Sequence, residues 1–192
     1  MSPSKSSGRP ARSEGLPGWV VLLRAVNVGG SGILRVKDLP AKLPKFQVDN
    51  IGAAGTFVVR ADSDPEALRE EFRRAIGFDT DILVRSSGEL ARLRTVAAST
   101  WGEPNPAEKR FVTFLSAKPA RTLSLPHSVP DPREWEVRLD ALVGVDVLSS
   151  SHVRGDRRRF YANEVVERLA KVPSTTRGWE TLERVWQRLG AP

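Results

Sequence analysis

Apolar and polar positions along this chain form short runs separated by turn residues, and the period changes from run to run. Residues 19–26, WVVLLRAV, are apolar and rich in β-branched side chains, the pattern of a central strand buried on both faces. The run stops in a loop, Asn27-Val28-Gly29-Gly30-Ser31-Gly32. Residues 36–43 predict a short, poor helix, because Pro40 must sit in its first turn or break it. Strand-like pieces at 46–51 and 56–61 flank Gly52 and Gly55 and predict a hairpin. Asp64-Pro65 then opens the clearest helix, with Asp as cap and Pro at the first helical position. Leu68, Phe72, Ala75 and Ile76 form its apolar stripe and Gly77 stops it. A strand at 80–85 follows, then a helix with Ser87 as cap and Leu90, Leu93, Val96 and Ala97 facing inward.

This β-α-β-β-α-β order is the split pattern of ferredoxin-like folds. The second half is less regular: a strand at 111–115, a Pro-rich stretch from Pro119 to Pro132, and strands near 134–139 and 143–148 joined by Asp140-Ala141-Leu142. A helix at 162–171 comes next, then a last helix capped by Thr175 or Thr176, with a face of Trp179, Leu182, Val185, Trp186 and Leu189. The expectation is an α+β protein whose ferredoxin-like first half joins a second αβ half through a mixed or antiparallel sheet. A single compact domain is expected over 19–190, with a subdomain seam at 99–108.

Composition adds exclusions. Residues 1–18 are nearly all Ser, Gly, Pro, Ala and charged side chains, too polar to offset the entropy of ordering, so a disordered basic tail is expected. It has no apolar secretory stretch, and no run approaches the ~18 residues of a membrane span, which points to the cytoplasm. With no cysteine there is no disulfide, thiolate nucleophile or cysteine zinc site. Two histidines, His127 and His152, do not make a multi-histidine metal site, and neither a metal nor a cofactor is expected.

Thirty basic against 23 acidic residues give a net charge of +7, which can be the footprint of phosphate binding. The excess is Arg-rich, 23 Arg to 7 Lys, and spread along the chain, so a solvated surface explains much of it. One tight cluster stands out: Arg154, Arg157, Arg158 and Arg159, followed by Phe160 and Tyr161, a mixture that can hold a nucleic-acid backbone and stack a base. The loop after the first strand can present backbone amides of Gly29 and Gly30 to an anion, with Arg24 or Arg35 adding charge. It lacks the Lys-Ser/Thr of a P-loop, and Arg35 stands where a dinucleotide fingerprint needs Gly. Thr175-Thr176-Arg177 at a helix start is a third anion candidate, Arg177 being able to grip bidentately. No acid–base constellation accompanies these residues, so the sequence does not decide whether the protein is an enzyme.

Three segments together resemble the bacterial domain of unknown function 1697 family. LLRAVNVGG (22–30) is similar to its opening strand and loop, Gly55 with Phe57, Val58 and Val59 to a strand beginning SGN, and VPSTTRGWET (172–181) to an ending of the type VPxTxRNWNT. The matching positions are Arg24, Asn27, Gly29, Gly30, Gly55, Thr176, Arg177, Trp179 and Thr181. Ala25 stands where the family has Gly. Ala53, Ala54 and Thr56 replace polar positions of its QSGN, and Gly178 and Glu180 replace the two Asn flanking Trp179, so several hydrogen-bonding side chains are lost. The resemblance implies a compact αβ domain and carries no activity. The sequence therefore points to a binding domain for an anionic ligand, nucleotide or nucleic acid, with Arg24, Asn27, Gly29, Gly30, Thr176 and Arg177 as its residues. A module whose motifs only build the fold, and a small-molecule enzyme, are the other readings. Partners beyond the anion, and the oligomeric state, are not legible.

Overall fold

The structure, a computed structural model, describes residues 18–24, 35–152 and 160–190. Helices and two antiparallel sheets make an α+β fold. The first sheet has the order β2-β3-β1-β4, built from β1 (Gly18–Leu23), β2 (Gln47–Asn50), β3 (Thr56–Arg60) and β4 (Ile82–Ser86). Strand β1 lies between β3 and β4 and is covered on both faces, which is why its run is apolar without alternation. The segment after β1 that reads as a poor helix is two successive 3₁₀ turns, Val36–Asp38 and Pro40–Lys42. Pro40, lacking an N–H, starts the second one.

Helix α1 (Pro65–Ile76) has the ends its sequence dictates. The Asp64 carboxylate accepts from the amides of Glu66 and Ala67 at 2.9 Å, and Gly77 closes the helix at φ 80°. Helix α2 (Ser87–Trp101) is capped one residue earlier than the pattern suggests. Ser86 and Glu89 form a reciprocal capping box, so Ser87 is the first helical residue. A loop over 102–107, inside the expected seam, leads to the second sheet.

That sheet has the order β6-β7-β8-β5-β9, from β5 (Glu108–Leu115), β6 (His127–Val129), β7 (Val137–Val143), β8 (Asp146–His152) and β9 (Ser174–Gly178). Three details differ from the sequence reading. The β7–β8 turn falls at Gly144, whose φ of 64° suits glycine, so Asp140, Ala141 and Leu142 belong to a strand and not to a connection. Strand β6 lies within the Pro-rich stretch. Residues 174–178, read as a helix cap, form edge strand β9, and α4 (Trp179–Leu189) starts only after Gly178. Helix α3 (Ala162–Ala170) falls where its periodicity places it.

The layers follow from which faces are apolar. One face of the first sheet packs on α1 and the 3₁₀ turns, with Phe57 and Phe72 meeting edge-on at 5.4 Å. Its other face shares a central core with the second sheet, α2 and α4, through Val20, Leu22, Val58, Val112, Phe114 and Trp186. The far face of the second sheet packs on α3. A buried ion pair crosses between the halves: Arg85 of β4 donates to both carboxylate oxygens of Asp146 at 2.9 and 2.7 Å, and to the Leu115 carbonyl at 2.6 Å. Burial pushes the Asp146 carboxyl above its ordinary pKa, while Arg85 and the Leu115 amide pull the other way.

Candidate functional site

The three sequence motifs meet in space, and Arg177 of β9 is where they meet. Its side chain is 5% exposed and reaches from the second sheet into the first. Nε donates to Thr56 Oγ1 at 2.6 Å; Nη1 donates to Thr175 Oγ1 at 2.6 Å and to the Thr176 carbonyl at 2.9 Å. Nη2 donates to the carbonyls of Leu23 at 2.9 Å, Ala54 at 2.7 Å and Gly55 at 3.3 Å. A guanidinium has five N–H donors. All five are committed to protein acceptors, every one a neutral hydroxyl or carbonyl. Burial lowers the Arg177 pKa to about 10, which leaves it cationic at neutral pH. In this geometry Arg177 holds the end of β1, the β2–β3 turn and β9 together and has no N–H to offer a ligand.

Arg24 stands beside this clasp and is also engaged. Its Nε donates to the Ser174 carbonyl at 3.1 Å, Nη2 lies 3.2 Å from Glu167 Oε1, and Nη1 lies 3.4 Å from Asp81 Oδ2. Thr176 Oγ1 is 2.8 Å from Thr113 Oγ1 on the neighbouring strand. Arg24, Thr176 and Arg177 are thus each engaged by hydrogen bonds within the fold. Asn27, Gly29, Gly30, Arg154, Arg157, Arg158 and Arg159 lie outside the described residues.

Among the described residues, grooves of about 460, 360 and 280 Å³ are large enough for a small molecule. The first runs along the start of β5 and the first turn of α4. It carries both signs of charge, Lys109 and Arg110 against Glu108, Glu180 and Glu183, and Arg110 already donates to the carbonyls of Trp101, Gly102 and Glu103. Trp179 lines it too and packs edge-on against Trp101 at 4.9 Å. A groove of about 360 Å³ is lined by Arg35, Lys37, Asn50 and Ala53.

The groove of about 280 Å³ is different in kind. It lies between residues 121–127 and the C-terminal end of α3, and is lined by Arg121, His127, Arg168 and Lys171 with Leu123, Leu125 and Leu169. No carboxylate occurs among the described residues that line it. The Ala120 amide donates to the Ala170 carbonyl at 2.9 Å and so delivers Arg121 beside the last turn of α3. Arg168 and Lys171 suit a helix C-terminus on dipole grounds alone. Arg121 comes from a different segment and has no such reason to be there. Sequence reasoning missed this site, because no local motif joins its residues.

A family model described as a protein of unknown function, DUF1697, matches residues 16–140. The chain belongs to the DUF1697 family. The matched region runs from β1 into β7, so the C-terminal clasp around Arg177 and the α3 groove extend beyond it. A conserved bacterial protein, SP0830 from Streptococcus pneumoniae, has a similar fold. The TM-score is 0.60 at 16% identity, with 91% of this chain and 99% of that chain covered. No curated protein matches. Among the described residues, no helix is long and apolar enough to cross a membrane, and no group of His, Cys, Asp and Glu is placed to hold a metal ion.

Proposed function

We propose that this DUF1697 member is a non-enzymatic binding domain for an anionic ligand, and that the α3 groove is where the anion sits. One observation carries the reading: Arg121, Arg168 and Lys171 converge on one groove with no carboxylate in its described lining and no ion pair among the described residues. Cations held together without counter-charges repel one another, and a bound phosphate or carboxylate relieves that repulsion and adds charge-assisted hydrogen bonds. The class spans nucleotides, nucleic-acid phosphates and small organic anions. The non-enzymatic reading rests on His127: among the described residues that line the groove it is the one side chain suited to general-base work, and no carboxylate lies among them to orient it.

The reading is tested by thermal denaturation with and without 5 mM inorganic pyrophosphate, comparing the parent with the double variant Arg121→Ser/Lys171→Ser. Both positions are exposed, so the variant folds. Binding at about 100-fold over Kd stabilises by about 2.7 kcal/mol, or roughly 5–10 °C for a chain of this size. The parent gains that shift and the variant loses it. Equal shifts in both, or none in either, contradict the proposal.

The Arg177 clasp favours a second reading for the motif residues themselves. All five of its N–H groups serve the fold, which supports the view that the family's motifs are architectural and that ligand chemistry lies elsewhere on the molecule.

A further inference from the structure

We infer that the ligand of the α3 groove is a small amphiphilic anion, a phosphate or carboxylate head on a short hydrocarbon body. The inference rests on the anion-binding reading and narrows it. The cations supply only part of the wall. Leu123, Leu125 and Leu169 are half-buried, pack from outside against the core between the second sheet and α3, and turn their remaining surface to the groove. Apolar surface left beside three cations that form no ion pair among the described residues matches a ligand with one charged end and one apolar end.

The size points the same way. At about 280 Å³ the groove lies just under the roughly 300–1,000 Å³ of sites for drug-sized ligands, room for a head group and a few methylenes. A nucleic-acid strand asks for something else: a basic track along several phosphates and aromatic platforms for its bases. His127 is the one ring among the described lining residues, and the cations gather at a single point.

Isothermal titration with three probes, hexyl phosphate, inorganic phosphate and adenosine monophosphate, tests this. Each buried methylene strengthens binding about fourfold, so hexyl phosphate binds at least about tenfold tighter than inorganic phosphate. Leu123→Ser reduces that preference, weakening hexyl phosphate more than inorganic phosphate; Leu125→Ser serves as a second such variant. Arg121→Ser weakens both phosphates. Equal affinity for hexyl phosphate and inorganic phosphate, or tighter binding of adenosine monophosphate, overturns the amphiphile while the anion site stands. No binding of any probe at millimolar concentration overturns the anion site itself.

Discussion

Replacing Arg177 with Met lowers the melting temperature by roughly 6–20 °C, in buffer with no anionic ligand present. The expectation follows from the acceptors left behind. The buried Leu23 and Gly55 carbonyls and the buried Thr56 and Thr175 hydroxyls lose a charged donor, while the Ala54 carbonyl, on an exposed residue, can turn to water. Each buried polar group left unpaired costs about 1–3 kcal/mol, and relaxation recovers part of the sum, so about 3–5 kcal/mol is expected. At roughly 2–4 °C per kcal/mol for a domain of this size, that gives the stated shift. Arg177→Lys rescues little, because three donors on one nitrogen cannot cover acceptors spread over three segments. A melting temperature within about 2 °C of the parent, by circular dichroism, shows that the clasp is not structural.

The second large effect concerns the buried pair between the halves. Asp146→Ala leaves the Arg85 guanidinium buried without its carboxylate, and removing one partner of such a pair costs about 3–5 kcal/mol. The pair itself is worth much less, because both charges were desolvated to make it. The double variant Arg85→Met/Asp146→Leu is therefore expected to recover most of the loss. Urea unfolding of the parent, the single and the double variants measures this directly. If the single variant loses under about 1 kcal/mol, or the double variant is no more stable than the single, the assignment fails.

How far the sequence can be read depends on whether the cause of a feature is local. Helix α1 is legible from end to end because Asp64, Pro65 and Gly77 act on their own neighbours. Strand β1 is legible because burial on both faces leaves an unbroken apolar run. Strand β9 is not: Ser-Thr-Thr-Arg-Gly reads as a polar helix entrance, and it is a strand because Arg177 and Thr175 find acceptors in β1 and the β2–β3 turn, far away in sequence. The serines of β8 mislead similarly. Ser150 is buried against Asp140, Ser149 is buried with no partner for its hydroxyl among the described residues, and neither shows the alternation that marks a strand.

The candidate site divides along the same line. That Arg177 is special is visible in the sequence, since its motif carries a family resemblance. That it faces inward is not, because most of its partners are backbone carbonyls, which no residue type reveals. The α3 groove has no sequence signature, since the Ala120–Ala170 hydrogen bond brings Arg121 beside Lys171 from a distant segment.

The most direct test of this account maps where an anion binds. Pyrophosphate is titrated into isotopically labelled protein while amide chemical shifts are followed. The account predicts that the largest shifts cluster at residues 120–127 and 168–172, with the amides of Leu23, Gly55 and Arg177 unmoved. Shifts centred on those three amides, with the α3 groove silent, would contradict it and return the binding role to the motif residues.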